Sequence, residues 1–181
     1  MASNNVDLGL GLDGTHVLVT GGCGLIGSVV VRAFLAAGSN VSILDLTDRH
    51  HFEDEHGKSI FYRKCDITDS NAVSEAFEEA EASFGPVETC VALASLDLSV
   101  LQQSESLADM NPKEWQRVFD VNIHGTFNTC QQWLQSVRRA TMDPAKKDRL
   151  RNVGLVIIGS VSGRFGERTM AAYSAGKSAV Q

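Results

Sequence analysis

Cysteine is scarce in this chain, and the four present, Cys23, Cys65, Cys90 and Cys130, are scattered. No two stand at metal-binding spacing, and reduced thiols in a cytoplasmic chain are the expectation. Basic charge is short as well. Sixteen Lys and Arg face 22 Asp and Glu, for a formal −6, and no basic run exceeds "AKKDRLR" at 145–151. That balance argues against a nucleic-acid-binding surface. Long apolar runs are missing too. The stretch 29–37 is broken by Arg32 and is too short to cross a bilayer. No N-terminal segment joins a basic start to an apolar core, as a secretory leader does. There is no internal repeat and no low-complexity segment. His50, His51 and His56 stand beside Glu53, Asp54 and Glu55, but no further ligand follows at a diagnostic spacing, so a solvated connection is the better reading.

What is present is an ordinary globular composition, 43% hydrophobic over 181 residues, which sets one domain as the expectation. Residues 1–12 are polar and aperiodic and read as a loose tail ahead of a domain over 13–181. Short β-rich runs stand at 15–20, 40–45, 59–66, 87–94 and 152–159. Helical patterns separate them. One covers 28–38 and ends on Gly38. Another covers 70–85, with Ala72, Val73, Ala76, Phe77 and Ala80 on one face. A long one covers 111–140, with Asn111 as cap, Pro112 in the first turn and Glu114 able to reach back. Its apolar stripe is Trp115, Val118, Phe119, Ile123, Phe127, Cys130, Leu134 and Val137, wide enough for a core face and part of an interface. A last helix begins near Met170. The stretch 95–110 lacks a period and reads as a surface loop or short helix. Alternating strands and helices predict an α/β fold: a Rossmann-like, doubly wound parallel sheet in three α/β/α layers.

Between the first strand and the first helix stands "TGGCGLIG" (20–27), in which Gly22, Gly24 and Gly27 fit G-x-G-x-x-G. A lone match is weak, but opening the first βα unit it marks a dinucleotide site. Glycine lets the backbone approach a pyrophosphate, and the helix start offers N–H groups. Asp45 ends the second strand 21 residues after Gly24. A carboxylate there accepts from ribose hydroxyls and repels a 2′-phosphate. With no cation in the loop and Arg49 the nearest one, NAD is favoured over NADP. Asp66, after the third strand, is placed for the adenine edge, with Asp69 or Ser70 left to cap the next helix. Tyr173 and Lys177 stand four apart, on one face of the last helix.

The glycine loop, "LD" at 44–45, "CDIT" at 65–68, "VNIHGTF" at 121–127, "IGSVSG" at 158–163 and "YSAGK" at 173–177 together resemble the short-chain dehydrogenase/reductase family. The resemblance covers 15–181, and the Ser160–Tyr173 interval of 13 is similar to the single-domain branch. It implies an oxidoreductase interconverting an alcohol and a ketone or aldehyde with NAD(H). Tyr173 would be the general acid/base. Lys177 would lower its pKa and hold the nicotinamide ribose. Ser160 would bind the substrate oxygen, and Asn122 would hold a relaying water. A free tyrosine, with a pKa of about 10, needs such help near neutrality. Cofactor contacts are expected from Gly21, Gly22, Cys23, Gly24, Leu25, Ile26, Gly27, Asp45, Leu46, Asp66, Ile67, Ala92, Ala94, Tyr173 and Lys177. Asn122 could instead bond a neighbouring backbone carbonyl, and Gly176 would mark a close approach of backbone or cofactor.

Three features depart from the family pattern. Leu25 stands where a glycine is usual, leaving Gly21, Gly24 and Gly27 in an epimerase-like spacing. Ala92, Leu93, Ala94 and Ser95 replace Asn-Asn-Ala-Gly, removing two polar side chains that tie the sheet. The chain ends at Gln181, so the last strands and a substrate-covering segment would be lacking and the fifth strand would be a sheet edge. Two other readings follow: a non-catalytic nucleotide-binding module, and, from the glycine spacing alone, a sugar-nucleotide epimerase or dehydratase. The resemblance also implies a homodimer or homotetramer of the complete protein. Residues 95–110 and 161–169 would line part of the substrate pocket, with Arg164, Phe165 and Arg168 as solvated positions first and contacts second.

Overall fold

A computed structural model describes residues 10–47, 52 and 59–181. The histidine cluster, Arg49 and the first nine residues lie outside them. Five strands form one parallel sheet in the order β3-β2-β1-β4-β5. Strand β1 (His16–Thr20) leads through the glycine loop into helix α1 (Leu25–Ala36) and strand β2 (Asn40–Asp45). Strand β3 (Ile60–Lys64), helix α2 (Ser70–Phe84) and strand β4 (Thr89–Ala92) follow. After a 3₁₀ turn at Leu107–Asp109 come helix α3 (Pro112–Phe119), a π-helical segment (Asp120–Gly125) and helix α4 (Thr126–Met142). Short helix α5 (Pro144–Lys147), strand β5 (Gly154–Ile157) and helices α6 (Val161–Phe165) and α7 (Ala171–Ala179) complete the chain.

Period-two alternation divides the core between the faces of the sheet. Val17, Val19, Val41 and Ile43 pack with Val31 and Leu35 of α1, while Leu18, Leu44 and Cys90 pack with Phe77 of α2 and Trp133 of α4. The expected three-layer arrangement is therefore the observed one. Strand order reverses at β1, with β2 on one side and β4 on the other. In such a sheet, ligands bind beyond the carboxyl ends of the strands at the reversal. Strand β5 pairs with β4 and forms the edge expected of it.

Two helices differ from their sequence pattern. Helix α1 starts at Leu25, three residues before the expected 28, because Gly24 serves as its N-cap and the glycine loop itself enters the helix. The long helix is continuous but changes pitch. The hydroxyl of Thr126 donates to the Asn122 carbonyl at 2.9 Å and that of Thr129 to the Gly125 carbonyl at 3.0 Å, supplying side-chain donors to carbonyls of the wider turn. The stripe on α4 also turns outward. Phe127 and Leu134 are exposed, whereas Thr126, Thr129, Gln132, Trp133, Ser136 and Ala140 are buried. Polar residues can face inward there because their partners are internal: Thr129 bonds its own helix, and the Ser136 hydroxyl donates to Glu81 of α2.

Candidate active site

The glycine loop is built by main chain rather than by side chains. Gly21 N donates to Leu44 O at 2.7 Å, and Gly24 N to Gly21 O at 3.1 Å. Gly27 is the tightest position in the loop. A Cβ there would overlap the Gly21 carbonyl oxygen and fall 2.8 Å from Gly22 Cα. The α1 terminus carries no side-chain cap, so the N–H groups of its first turn face the space over the loop. Leu25 and Ile26 are exposed in that same turn. This cradle, a turn of backbone N–H groups without a side-chain cap, fits a pyrophosphate.

Asp45 closes the cradle on the β2 side. Its two carboxylate oxygens accept from Cys23 N at 2.8 Å and Thr47 N at 2.9 Å, which holds the charge beside the loop. Leu46 follows, exposed. Asp66 accepts from the Thr68 N–H and hydroxyl, while Asp69 caps α2 through Asn71 N and Ala72 N. Asp66 is thus not the helix cap and stands exposed beyond β3. Ile67 is buried against Gly125 of the π segment. Asn128, which drew no attention in the sequence, donates to the Ile67 carbonyl at 2.9 Å and ties that segment to α4.

At the end of β4 Ala92 is buried, and beyond it Ala94 is half-buried. The sheet ties lost with the two asparagines are met by other groups. Thr20 Oγ1 accepts from Leu93 N and Ala94 N, both at 3.2 Å. Asn122 closes on the Leu96 peptide, with Oδ1 accepting from its N–H at 2.8 Å and Nδ2 donating to its carbonyl at 3.0 Å. The buried Asn122 carboxamide thus bonds the backbone through both its oxygen and its nitrogen.

Tyr173 and Lys177 are both buried on α7. The Lys177 ammonium donates to the Ile158 carbonyl at 2.9 Å, just past β5, and lies 5.9 Å from the centroid of the Tyr173 ring. Burial lowers the Lys177 pKa, and the charge of Asp97 opposes that shift. Asp97 follows the clamped Leu96; its own pKa is lowered chiefly by hydrogen bonds from the Ser99 hydroxyl and N–H, with Lys177 contributing last. Asp97 lies in the aperiodic stretch 95–110, where nothing in the pattern singled it out. Ser160 caps α6, its Oγ accepting from Ser162 N at 3.1 Å, and its carbonyl accepts from the Gln181 side chain.

A shallow hollow beside Tyr173 is lined by Leu101, Gln102, Met110, Glu114 and Met170. The 95–110 stretch therefore does reach the tyrosine. Thr169 anchors it, its carbonyl accepting from Ser104 N at 3.0 Å, and it does so at φ 69°, a strained conformation for a β-branched residue. Arg164 stacks over Phe165, and Arg168 pairs with Glu105, all of them exposed. Gly176 lies against Asn122, but a Cβ there would stand 3.5 Å from Asn122 Cβ. That is ordinary contact, so the expected close approach leaves room for a methyl group.

A family model for the short chain dehydrogenases matches residues 15–181. The chain belongs to that family. It is 32% identical over 164 residues to the 3-oxoacyl-[acyl-carrier-protein] reductase MabA of Mycobacterium tuberculosis, covering 91% of this chain and 58% of that protein. It is 29% identical over 181 residues to the NADP-dependent (R)-specific alcohol dehydrogenase of Lentilactobacillus kefiri, covering 94% and 64%. A short-chain dehydrogenase/reductase structure from Brucella melitensis superposes with a TM-score of 0.76 at 23% identity, covering 92% of this chain and 65% of the other. The chain thus spans about three fifths of the length of these relatives. Among the described residues, no helix is long and apolar enough to cross a membrane, and no group of His, Cys, Asp and Glu could hold a metal ion.

Proposed function

We infer that this chain carries the nucleotide cradle and the proton-transfer group of an NAD(P)-dependent oxidoreductase acting between an alcohol and a ketone or aldehyde. The observation that carries this reading is the buried pair on α7, with Lys177 held on the Ile158 carbonyl one helical turn beyond Tyr173. The cofactor would lie over the glycine loop, with Gly21 to Gly27 and the α1 start at its pyrophosphate, Asp45 at its adenosine ribose and Asp66 with Ile67 toward its base. When bound, the nicotinamide supplies or takes the hydride.

The chain's own residues handle the proton. In the reducing direction the Tyr173 phenol donates to the carbonyl oxygen as it becomes a hydroxyl, and in the oxidising direction it accepts that proton back. Lys177 places a cation near the phenol, which favours the phenolate formed on donation. Asp97 acts on Lys177 in turn, countering part of its desolvation. The Ser160 hydroxyl, whose oxygen is engaged by Ser162 N, turns its own proton toward the substrate oxygen. Asn122 contributes by holding the Leu96 peptide, which sets where Asp97 begins. The Asp45 charge favours NAD, although one relative is NADP-dependent by name, and cofactor titration decides between them.

Tyr173→Phe tests the reading. Turnover on a carbonyl panel is expected to fall by about 10³ or more, while NADH binding stays within about twofold. Undiminished turnover overturns the role of Tyr173. NADH binding without turnover by the wild-type chain favours a nucleotide-binding module instead.

The outward stripe on α3, the π segment and α4 suits a second copy. Trp115 and Phe119 stack at 4.7 Å, and Phe127 and Leu134 are more than half exposed. A dimeric or tetrameric mass by light scattering is expected, and a concentration-independent monomer would refute it.

A further inference from the structure

The run 138–151 holds six of the chain's Lys and Arg against two Asp, in a protein of formal charge −6. None of these residues takes part in the cleft described above. They gather at the opposite end of the sheet. There a cavity of about 590 Å³ opens between the last turn of α2, the last turns of α4 and the α5 segment, with Arg139, Lys146 and Arg149 in its wall. Asn40, the first residue of β2, lines it too, which places it at the amino ends of the strands. We propose that this cavity binds a small phosphate-bearing anion through Arg139, Lys146 and Arg149, independently of the dinucleotide cradle.

The wall is organised for a ligand of that charge. Arg149 donates from Nη2 to the Phe84 carbonyl at 2.9 Å, and its guanidinium lies so close over Gly85 that a Cβ there would fall 2.5 Å from Nη1. The fork is thus fixed before anything binds. Glu81 is the one carboxylate in the wall, and it accepts the Ser136 hydroxyl. Arg139 pairs with it at 3.9 Å, beyond hydrogen-bond reach, and Lys146 and Arg149 leave the cations of the wall in excess of the charge that opposes them. The volume falls within the range of small-molecule pockets, roughly 300–1,000 Å³. Two planar forks and an ammonium on separate stretches of chain suit an anion with several oxygens and more than one charge. Cations also gather at helix C-termini to meet exposed carbonyls. Arg149 fills that role by bonding Phe84, and Arg139 and Lys146 stand in the last turns of α4 and α5; what the role alone does not call for is their convergence on one cavity.

The test is calorimetric titration of the whole 181-residue protein with pyrophosphate at low ionic strength, with NADH present at saturation to fill the glycine loop. One saturable site is expected, and Arg139→Gln with Lys146→Gln is expected to weaken it at least tenfold. Both positions are exposed, so circular dichroism should show the fold retained. Should the double variant unfold, each single variant is expected to weaken binding several-fold. Absence of saturable binding overturns the proposal, as does equal affinity in wild type and variant, which would assign the anion elsewhere. If the protein does not bind NADH, the same wild-type-to-variant difference still reads this cavity, because neither residue touches the loop.

Discussion

The two ends of the cleft are held by different means. At the amino-terminal end, main chain meets main chain, Gly21 on Leu44 and Gly24 on Gly21, with the Asp45 carboxylate on the Cys23 N–H the one side chain added. The strands beneath are sealed, with Val17, Leu18, Val19, Val41, Ile43 and Leu44 all fully buried. At the carboxyl-terminal end, side chains make the structure: Asn122 on Leu96, Lys177 on Ile158, Ser160 on Ser162. Strand β5 beneath them is an edge, and Val156 and Ile157 are 46% and 40% exposed. A site made of backbone fails when atoms are added. A site made of side chains fails when atoms are removed, and it can do so with the fold intact. The loss of turnover expected for Tyr173→Phe, with NADH still bound, is the second kind of failure.

Gly27→Ala is the sharpest way to produce the first kind. The added methyl overlaps the Gly21 carbonyl, and neither partner is a side chain that could rotate away. A loss of about 3 kcal/mol in unfolding free energy is expected, at the upper end for overpacking, with NADH affinity falling along with it. Denaturant titration and calorimetry measure the two. A variant as stable as wild type that binds NADH normally would show that the loop can shift, and the contrast between the ends would fail.

The far side of the sheet, at the amino ends of the strands, carries a pH dependence. His16, at the start of β1, is buried, with Nδ1 donating to the Gly85 carbonyl at 2.7 Å and Nε2 accepting from the Ser42 hydroxyl at 2.8 Å. Desolvation lowers its pKa from 6.5 to about 4, against smaller opposing effects from its backbone partners and Glu88. The neutral ring is therefore the folded form, while the unfolded chain takes a proton below pH 6.5. Stability from this group is complete above pH 6.5, falls as pH drops toward 4, and changes no further below that. The full loss is about 3 kcal/mol. Comparing wild type with His16→Gln across pH 7.5 to 4 isolates it, because the variant should lack that part of the slope. Parallel curves would mean that His16 titrates normally.

The same contrast governs what could be read before the fold was known. Buried parallel strands are continuous apolar runs, so "HVLV" and "VSIL" stand out, and the glycine loop is a local signal in a fixed order. The Tyr173–Lys177 spacing is local too. Side-chain devices at the other end are not. The inward face of α4 carries polar residues beside Trp133 and Ala140 because Thr129 bonds its own helix and Ser136 bonds Glu81, so periodicity picked out Phe127 and Leu134, which are outside. The π segment depends on the hydroxyls of Thr126 and Thr129 relative to carbonyls four residues earlier, which no apolar pattern records. Asp97 gains its meaning from Lys177, 80 residues away, and from the Asn122 clamp on the Leu96 backbone beside it. The strain at Thr169 follows from the stretch it anchors.

The smallest predicted effect joins the two ends, because both contain a glycine within a helix. Gly176 resembles Gly27 in its helical setting and in its burial. What differs is the neighbour. A methyl on Gly176 would meet Asn122 Cβ at 3.5 Å and Val118 Cγ1 at 3.7 Å, contacts that side chains make throughout a core. Alanine is the better helix former by about 1 kcal/mol, so Gly176→Ala is expected to be neutral or stabilising by up to about that amount. Melting temperature under fixed conditions measures it. A clear destabilisation would mean that α7 packs more tightly on the π segment than its geometry indicates, and that the carboxyl-terminal end, like the other, is set by the approach of backbones.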